Sequence, residues 1–285
     1  MINPNLFNVV LPIAVFFFSP VFCIGQSGLL PHGGSASFGM AGAFVCIPGL
    51  SGAFGNPANL ARLPNFQSEL FYEERFNGAG LREMGIGLGG RLGQGAFGLS
   101  VRKFGAGAYR EQLLQLSYAR SLAPSVDIGI RFDGNALAIA QYGSRFMVNG
   151  SIGVRAELSP KVVTGFLVHR PFRPDEFSAG FMPSGLVFGL RYAPGEQFHI
   201  QADFFRYALQ PIGSRIGLEY LPHPRVQIRA GAGISPSTFS FGIGIGMNAQ
   251  SRVQTSVSHH PFLGLSPSLG LHYFGKGRKI HSTSR

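Results

Sequence analysis

Tryptophan is absent from these 285 residues, cysteine occurs twice, and 13 acidic side chains stand against 24 Lys and Arg, for a formal net charge of +11. Each shortage excludes something. Cys23 lies in an N-terminal apolar stretch expected to be removed, which leaves Cys46 alone and rules out an intramolecular disulfide. The shortage of acid and a pI near 10.3 raise nucleic acid as a partner. The basic residues are scattered and form no dense patch, so no nucleic acid is expected. Beyond residue 25 no apolar run approaches the ~20 residues that a membrane-crossing helix needs, which excludes an α-helical membrane protein. No linker or change of composition divides the chain after its N-terminal region.

What is present is alternation. From 67 to 274 a unit of about ten residues recurs, large apolar side chains alternating with small or polar ones between short Pro, Gly or Asn turns. In 185–192, Leu186, Phe188, Leu190 and Tyr192 share one face, and Gly185, Val187, Gly189 and Arg191 the other. The same reading puts Phe239, Phe241, Ile243, Ile245 and Met247 opposite Ser240, Gly242, Gly244 and Gly246. Period-two patterning in series, with charge confined to the small-residue face, predicts an all-β fold: a transmembrane antiparallel β-barrel of about fourteen strands over 67–274. Tight connections such as 92–93, 123–124 and 159–160 alternate with longer ones at 104–110, 136–144, 170–184, 208–213 and 259–267, as periplasmic turns alternate with external loops. Without tryptophan, the interfacial girdle falls to Tyr72, Tyr118, Tyr192, Phe205, Tyr220 and Tyr273. Arg91, Asp127, Arg131, Arg155, Glu157, Arg191, Asp203, Arg215, Glu219, Arg229 and Arg252 should face the lumen, in cross-strand ion pairs or as a basic surface that draws anionic groups.

Residues 1–25 read as a signal peptide, apolar over 6–21 with Pro12 and Pro20 inside, and Gln26 as the mature start. Outer-membrane insertion after export is the expected route. Residues 26–66 read as a plug or hatch. Phe38, Met40, Phe44 and Phe54 are its apolar anchors, its glycines permit tight bends, and Asn56-Pro57 starts a turn or helix, with Asn as cap and Pro at the first helical position. Residues 275–285 read as a basic, disordered tail.

The Gly/Ala-rich lead-in at 33–64 ends in Asn56-Pro57-Ala58, followed by Asn59-Leu60. In this it resembles the outer-membrane family that includes FadL-type transporters of hydrophobic compounds and the PorV-type proteins of Bacteroidetes type IX secretion. The resemblance implies a hatch lodged in a Gram-negative outer-membrane barrel. It leaves two functions open: passive transport of hydrophobic small molecules, and a non-conducting accessory barrel that binds exported proteins. The first is the expectation. The lipid of the outer membrane is a partner in either case, and the loop aromatics Phe172, Phe177, Phe181 and Met182 suit a ligand lid or a docking surface.

No catalytic site is expected. Residues 85–90, GIGLGG, match a dinucleotide pattern formally, yet no βαβ unit follows, so the glycines read as lumen-facing strand residues. His259 and His260 are adjacent on a strand and point apart, so no metal or other cofactor is implied. No motif surrounds any serine that His169, His199 or His272 would serve.

Overall fold

The computed structural model describes residues 29–171, 183–208 and 210–275. The expected signal peptide, the loop aromatics Phe172, Phe177, Phe181 and Met182, and the tail beyond 275 lie outside the described residues. Fourteen strands follow an N-terminal segment: β1 (Gln67–Arg75), β2 (Leu81–Leu92), β3 (Gly95–Ala106), β4 (Tyr109–Ala123), β5 (Val126–Ile139), β6 (Gly143–Ser159), β7 (Val162–His169), β8 (Gly185–Tyr192), β9 (Phe198–Tyr207), β10 (Gly213–His223), β11 (Val226–Ile234), β12 (Thr238–Gly246), β13 (Ser251–His260) and β14 (Gly264–Phe274). Each pairs antiparallel with its sequence neighbours, and β1 pairs with β14 from Gln67↔Phe274 to Glu73↔Ser268, which closes the sheet into a barrel.

The alternation read from the sequence becomes the two faces of this wall. Leu186, Phe188 and Leu190 of β8 are exposed while Gly185, Val187 and Gly189 are buried. Elsewhere Leu70, Ile86, Leu116 and Phe241 are exposed, whereas Glu69, Glu83, Arg102 and Asp133 are almost completely buried. This inverts the arrangement of a water-soluble protein. Large side chains turned outward around a closed wall find their apolar surroundings in lipid, and closure leaves no unpaired strand edge in the bilayer. No described helix is long and apolar enough to cross a membrane.

The wall is uneven in height. β4, β5 and β6 have 15, 14 and 17 residues, against 8 each in β7 and β8. The connections expected over 104–110 and 136–144 are therefore mostly strand, with β3 reaching Ala106 and β4 starting at Tyr109, and β5 reaching Ile139 and β6 starting at Gly143. Apolar packing inside the rim accounts for the extension: Leu29 packs with Phe104 and Leu113, and Leu137 with Met147. One girdle residue is also misplaced by the sequence reading. Phe205 is buried inside the barrel, where Arg215 lies 4.2 Å over its ring.

Candidate functional site: an occupied lumen

Phe66, which leads into β1, turns to the outer face, and residues 29–63 lie inside the closed sheet. They form two short helices, α1 (Gly34–Phe38) and α2 (Gly49–Ala53), and a 3-10 helix, η1 (Pro57–Arg62), nearly all of it buried. Asn56 caps η1 by accepting the Ala58 N–H at 3.1 Å, with Pro57 at the first helical position, where a missing N–H costs nothing. The Asn56 amide also donates to the Val45 carbonyl at 3.0 Å and to the Val154 carbonyl of β6 at 3.2 Å, and Asn59 donates to the same Val45 oxygen at 3.1 Å. The wall makes room for this corner with glycine. A methyl at Gly129 would stand 2.5 Å from the Ala58 nitrogen, and one at Gly153 would overlap Asn56 Oδ1.

The apolar anchors use the same device. Phe54 packs against Gly87 and edge-on to Phe71, 5.4 Å between ring centres, and Phe71 is also met edge-on by Phe38 and His32. Met40 sits against Gly217 and Gly231, and Val45 against Gly165 and Gly189. Phe44 is 1 % exposed and packs within the segment on Gly55. Of the glycines that formally match a dinucleotide pattern, Gly85 and Gly87 face the lumen and, with Gly89, form the flat floor on which Phe71, Phe54 and Leu50 rest, whereas Gly90 has the opposite parity and meets Phe66 at the outer groove, contrary to its expected lumen-facing place.

Strand side chains hold the segment by its main chain. Asp203 accepts the N–H groups of Phe44 and Val45, Arg131 donates to the carbonyls of Phe54 and Gly55 at 2.9 and 2.7 Å, and Arg215 donates to the Gly42 carbonyl at 2.9 Å. Glu69 accepts the Ser35 N–H and hydroxyl on one oxygen and the Ser51 hydroxyl on the other. Asp127 joins Arg62 of η1 at 2.7 Å to Arg155 at 3.1 Å, and Arg155 reaches Glu157 at 2.9 Å. Glu219 takes Arg229 at 2.8 Å and His199 at 3.1 Å, with Arg191 at 3.8 Å. Arg252 lies over the Phe274 ring. Of the lumen charges expected from sequence, Arg91 is placed otherwise. It keeps the inward parity of β2 but is exposed at the rim and lines an outer groove, because β2 runs on past the interior segment.

Several interior charges escaped the sequence reading: Glu69, Glu83, Arg102, Glu111, Asp133 and the rim residue Arg170. Parity was the available signal, since Glu83 is in phase with Gly85 and Gly87, and Asp133 with Arg131. Glu83 gathers Arg102 at 2.6 Å and His32 at 2.8 Å, and also pairs with Arg75. Burial, then the nearby Arg102 charge, lowers the His32 pKa to about 4, so the ring is neutral and its Nε2–H donates to the carboxylate. Burial raises the pKa of the Cys46 thiol, which is inert in this position.

Two spaces adjoin the segment. A groove of about 630 Å³ on the outer face is lined by Phe66, Leu88, Phe97, Leu99, Tyr118 and Phe132, with Gly89 and Gly98 at its base. Directly behind those glycines stand Leu50, Leu60 and Leu63, within 3.0 Å of where their methyl groups would be. A second space, of about 250 Å³, lies inside the lumen at the end where tight turns join the strands, between the segment and β8, β10, β11, β13 and β14.

These features define a class: a closed barrel of fourteen antiparallel strands, apolar outside, its lumen occupied by the chain's own N-terminal segment. Solved structures of similar fold include the toluene transporter TbuX of Ralstonia pickettii, 13% identical, with a TM-score of 0.62 over 90% of this chain and 100% of that one. The toluene transporter TodX of Pseudomonas putida is 12% identical, with a TM-score of 0.64 over 87% of this chain and 97% of that one. A FadL homologue of Pseudomonas aeruginosa is 11% identical, with a TM-score of 0.65 over 86% of this chain and 99% of that one. At such identities the likeness is one of fold. No family model matches the sequence, and no curated protein matches it.

Proposed function

We propose that the protein is an outer-membrane channel for small hydrophobic compounds, delivered by a cleaved signal peptide, with residues 29–63 as a plug that must shift for passage. The observation that carries this reading is the wall at Gly89 and Gly98. There a lipid-side apolar groove and an interior cluster of leucines are separated by backbone alone, with no side chain between them. A hydrophobic solute crossing from lumen to bilayer gains nothing from an aqueous exit, and a glycine-floored wall between two apolar surfaces offers the least material to move. The proteins of similar fold described as toluene transporters support the same substrate class. The resemblance to accessory barrels of protein export draws no support from these neighbours.

The test is uptake of labelled toluene and of a labelled fatty acid by cells with and without the chain, with exported proteins quantified in the same cultures. Slower uptake of either compound in the deleted strain, restored by the wild-type chain, is the expected result. Unchanged uptake with lost exported proteins would overturn the proposal in favour of the accessory reading.

A further inference from the structure

The space at the short-turn end of the lumen differs in chemistry from the rest of the interior. Elsewhere among the described residues most buried charges are joined to carboxylates or to the segment's main chain, with Arg170 at the opposite rim the exception. Here Arg191, Arg229 and Arg252 face a single carboxylate, Glu219. Arg229 is fully committed, with Nε on Glu219 at 2.8 Å, Nη1 on Gln254 at 3.0 Å and Nη2 on Gln227 at 2.8 Å. Arg191 and His199 converge on the same Glu219, which leaves that group no charge to spare for a further cation. Arg62, also on the lining, is already held by Asp127.

Arg252 Nε and His272 Nε2 are left over. Among the described residues Arg252 has no ion pair. Its Nε has no hydrogen-bond partner, and its guanidinium rests 5.4 Å above the centre of the Phe274 ring. His272 is 6 % exposed; its Nδ1 lies 3.9 Å from Glu69, its Nε2 has no hydrogen-bond partner, and its ring stacks on the same Phe274, 4.3 Å between centres and 18° from parallel. An aromatic ring thus carries a guanidinium and an imidazole, both with unused polar atoms, at the edge of a cavity whose remaining wall includes Met40 and Ile47.

We infer that this cavity is a binding site for the carboxylate of a small organic acid, received by Arg252 and His272 and floored by Phe274. A planar guanidinium fork matches a carboxylate, the local excess of arginine over Glu219 calls for an anion, and the apolar wall favours an organic acid over an inorganic ion. At about 250 Å³ the space falls short of the ~300–1,000 Å³ of pockets that enclose whole drug-sized ligands, so it takes a benzoate-sized acid or the head of a longer one. The site goes beyond the proposed transport and stands on lumen geometry whether or not the barrel conducts.

The experiment is equilibrium dialysis of radiolabelled benzoate and, separately, laurate against the purified full chain in detergent micelles. Wild type is compared with Arg252→Gln, Arg252→Lys and His272→Gln, each kept only if the unboiled barrel retains the folded mobility of wild type in dodecyl sulfate. Saturable binding of benzoate at one site per chain, weakened about tenfold or more by Arg252→Gln and partly restored in Arg252→Lys, is expected. Inorganic phosphate and neutral toluene should not displace it. Laurate binding with the same dependence on Arg252, without benzoate binding, would support the site and assign it to the head of a long acid. No saturable binding of either acid, or equal binding by wild type and Arg252→Gln, would overturn the inference. Failed cellular uptake beside intact benzoate binding would sink the transport reading alone.

Discussion

One oxygen of the Asp203 carboxylate accepts the backbone N–H of Phe44 at 2.6 Å and that of Val45 at 3.1 Å, so a wall strand grips the interior segment by its main chain. Substituting Asp203→Ala leaves two buried donors without an acceptor, at a cost of about 1–3 kcal/mol each. The expected consequence is local release of the segment around Cys46, which is 1 % exposed and next in sequence to Val45. Maleimide labelling of Cys46 in the folded barrel should accelerate at least about tenfold, the factor that 1.4 kcal/mol supplies. Labelling as slow as in wild type would show that the apolar anchors hold the segment without this carboxylate.

His32 makes the docking of the segment sensitive to pH. Its pKa falls from 6.5 to about 4 in the folded barrel, through burial first and the Arg102 charge second. The released segment therefore takes up a proton that the docked one refuses. Docking is fully stable above pH 6.5 and weakens as the pH falls from there toward about 4, by up to about 3 kcal/mol. Hydrogen exchange of the main chain around His32, corrected for its intrinsic pH dependence, should rise between about pH 7 and about pH 5. His32→Gln should flatten that rise, and an unchanged profile in the variant would remove His32 as its cause.

Much of this architecture was legible because the bilayer imposes a period of two. The alternation read over 185–192 is strand β8 (Gly185–Tyr192), and that read from Phe239 to Met247 is β12 (Thr238–Gly246) to within a residue at each end. The rim of β3 and β4 was not legible, since Gly105, Ala106, Gly107 and Ala108 carry no alternation. Strand persists there because the neighbour supplies the pairing, as in Gly105↔Arg110. Asn56-Pro57 announced a capped turn by its own chemistry. Which glycines would receive that turn was hidden, because Gly129 and Gly153 meet it only through the register of β5 on β6, where they pair with each other. Phe205 misled because an aromatic residue near a strand end suits a girdle, while its parity with Asp203 places it inside.

Gly129→Ala should be far more damaging than its single methyl suggests. The added carbon would meet the backbone of Ala58, 2.5 Å from its nitrogen and 2.8 Å from its Cα, and backbone cannot swing aside as a side-chain tip can. Gly195→Ala is the matched control, with nothing within 4 Å of the new methyl. The variant at 129 should lower the temperature at which the barrel loses its folded mobility in dodecyl sulfate, or leave the barrel folded and the segment open to trypsin at Arg62. The control should do neither. Equal behaviour of the two variants would mean that η1 has room to retreat from the wall.

In the wall at Gly98 a methyl would already approach Leu60 Cδ1 to 2.9 Å. Gly98→Leu puts a full side chain between the outer groove and the interior leucines. It does so on the inward face of β3, in phase with Ala96 and Ser100, so the lipid-facing surface is untouched. If hydrophobic solutes pass at this point, uptake of labelled toluene should fall toward that of cells lacking the barrel, with the variant still inserted and folded. Leu99→Ala, which widens the outer groove from the lipid side, should leave uptake intact or raise it. Wild-type uptake in the Gly98→Leu barrel would move the path elsewhere, because no solute-sized route could cross there past a leucine wedged against Leu60.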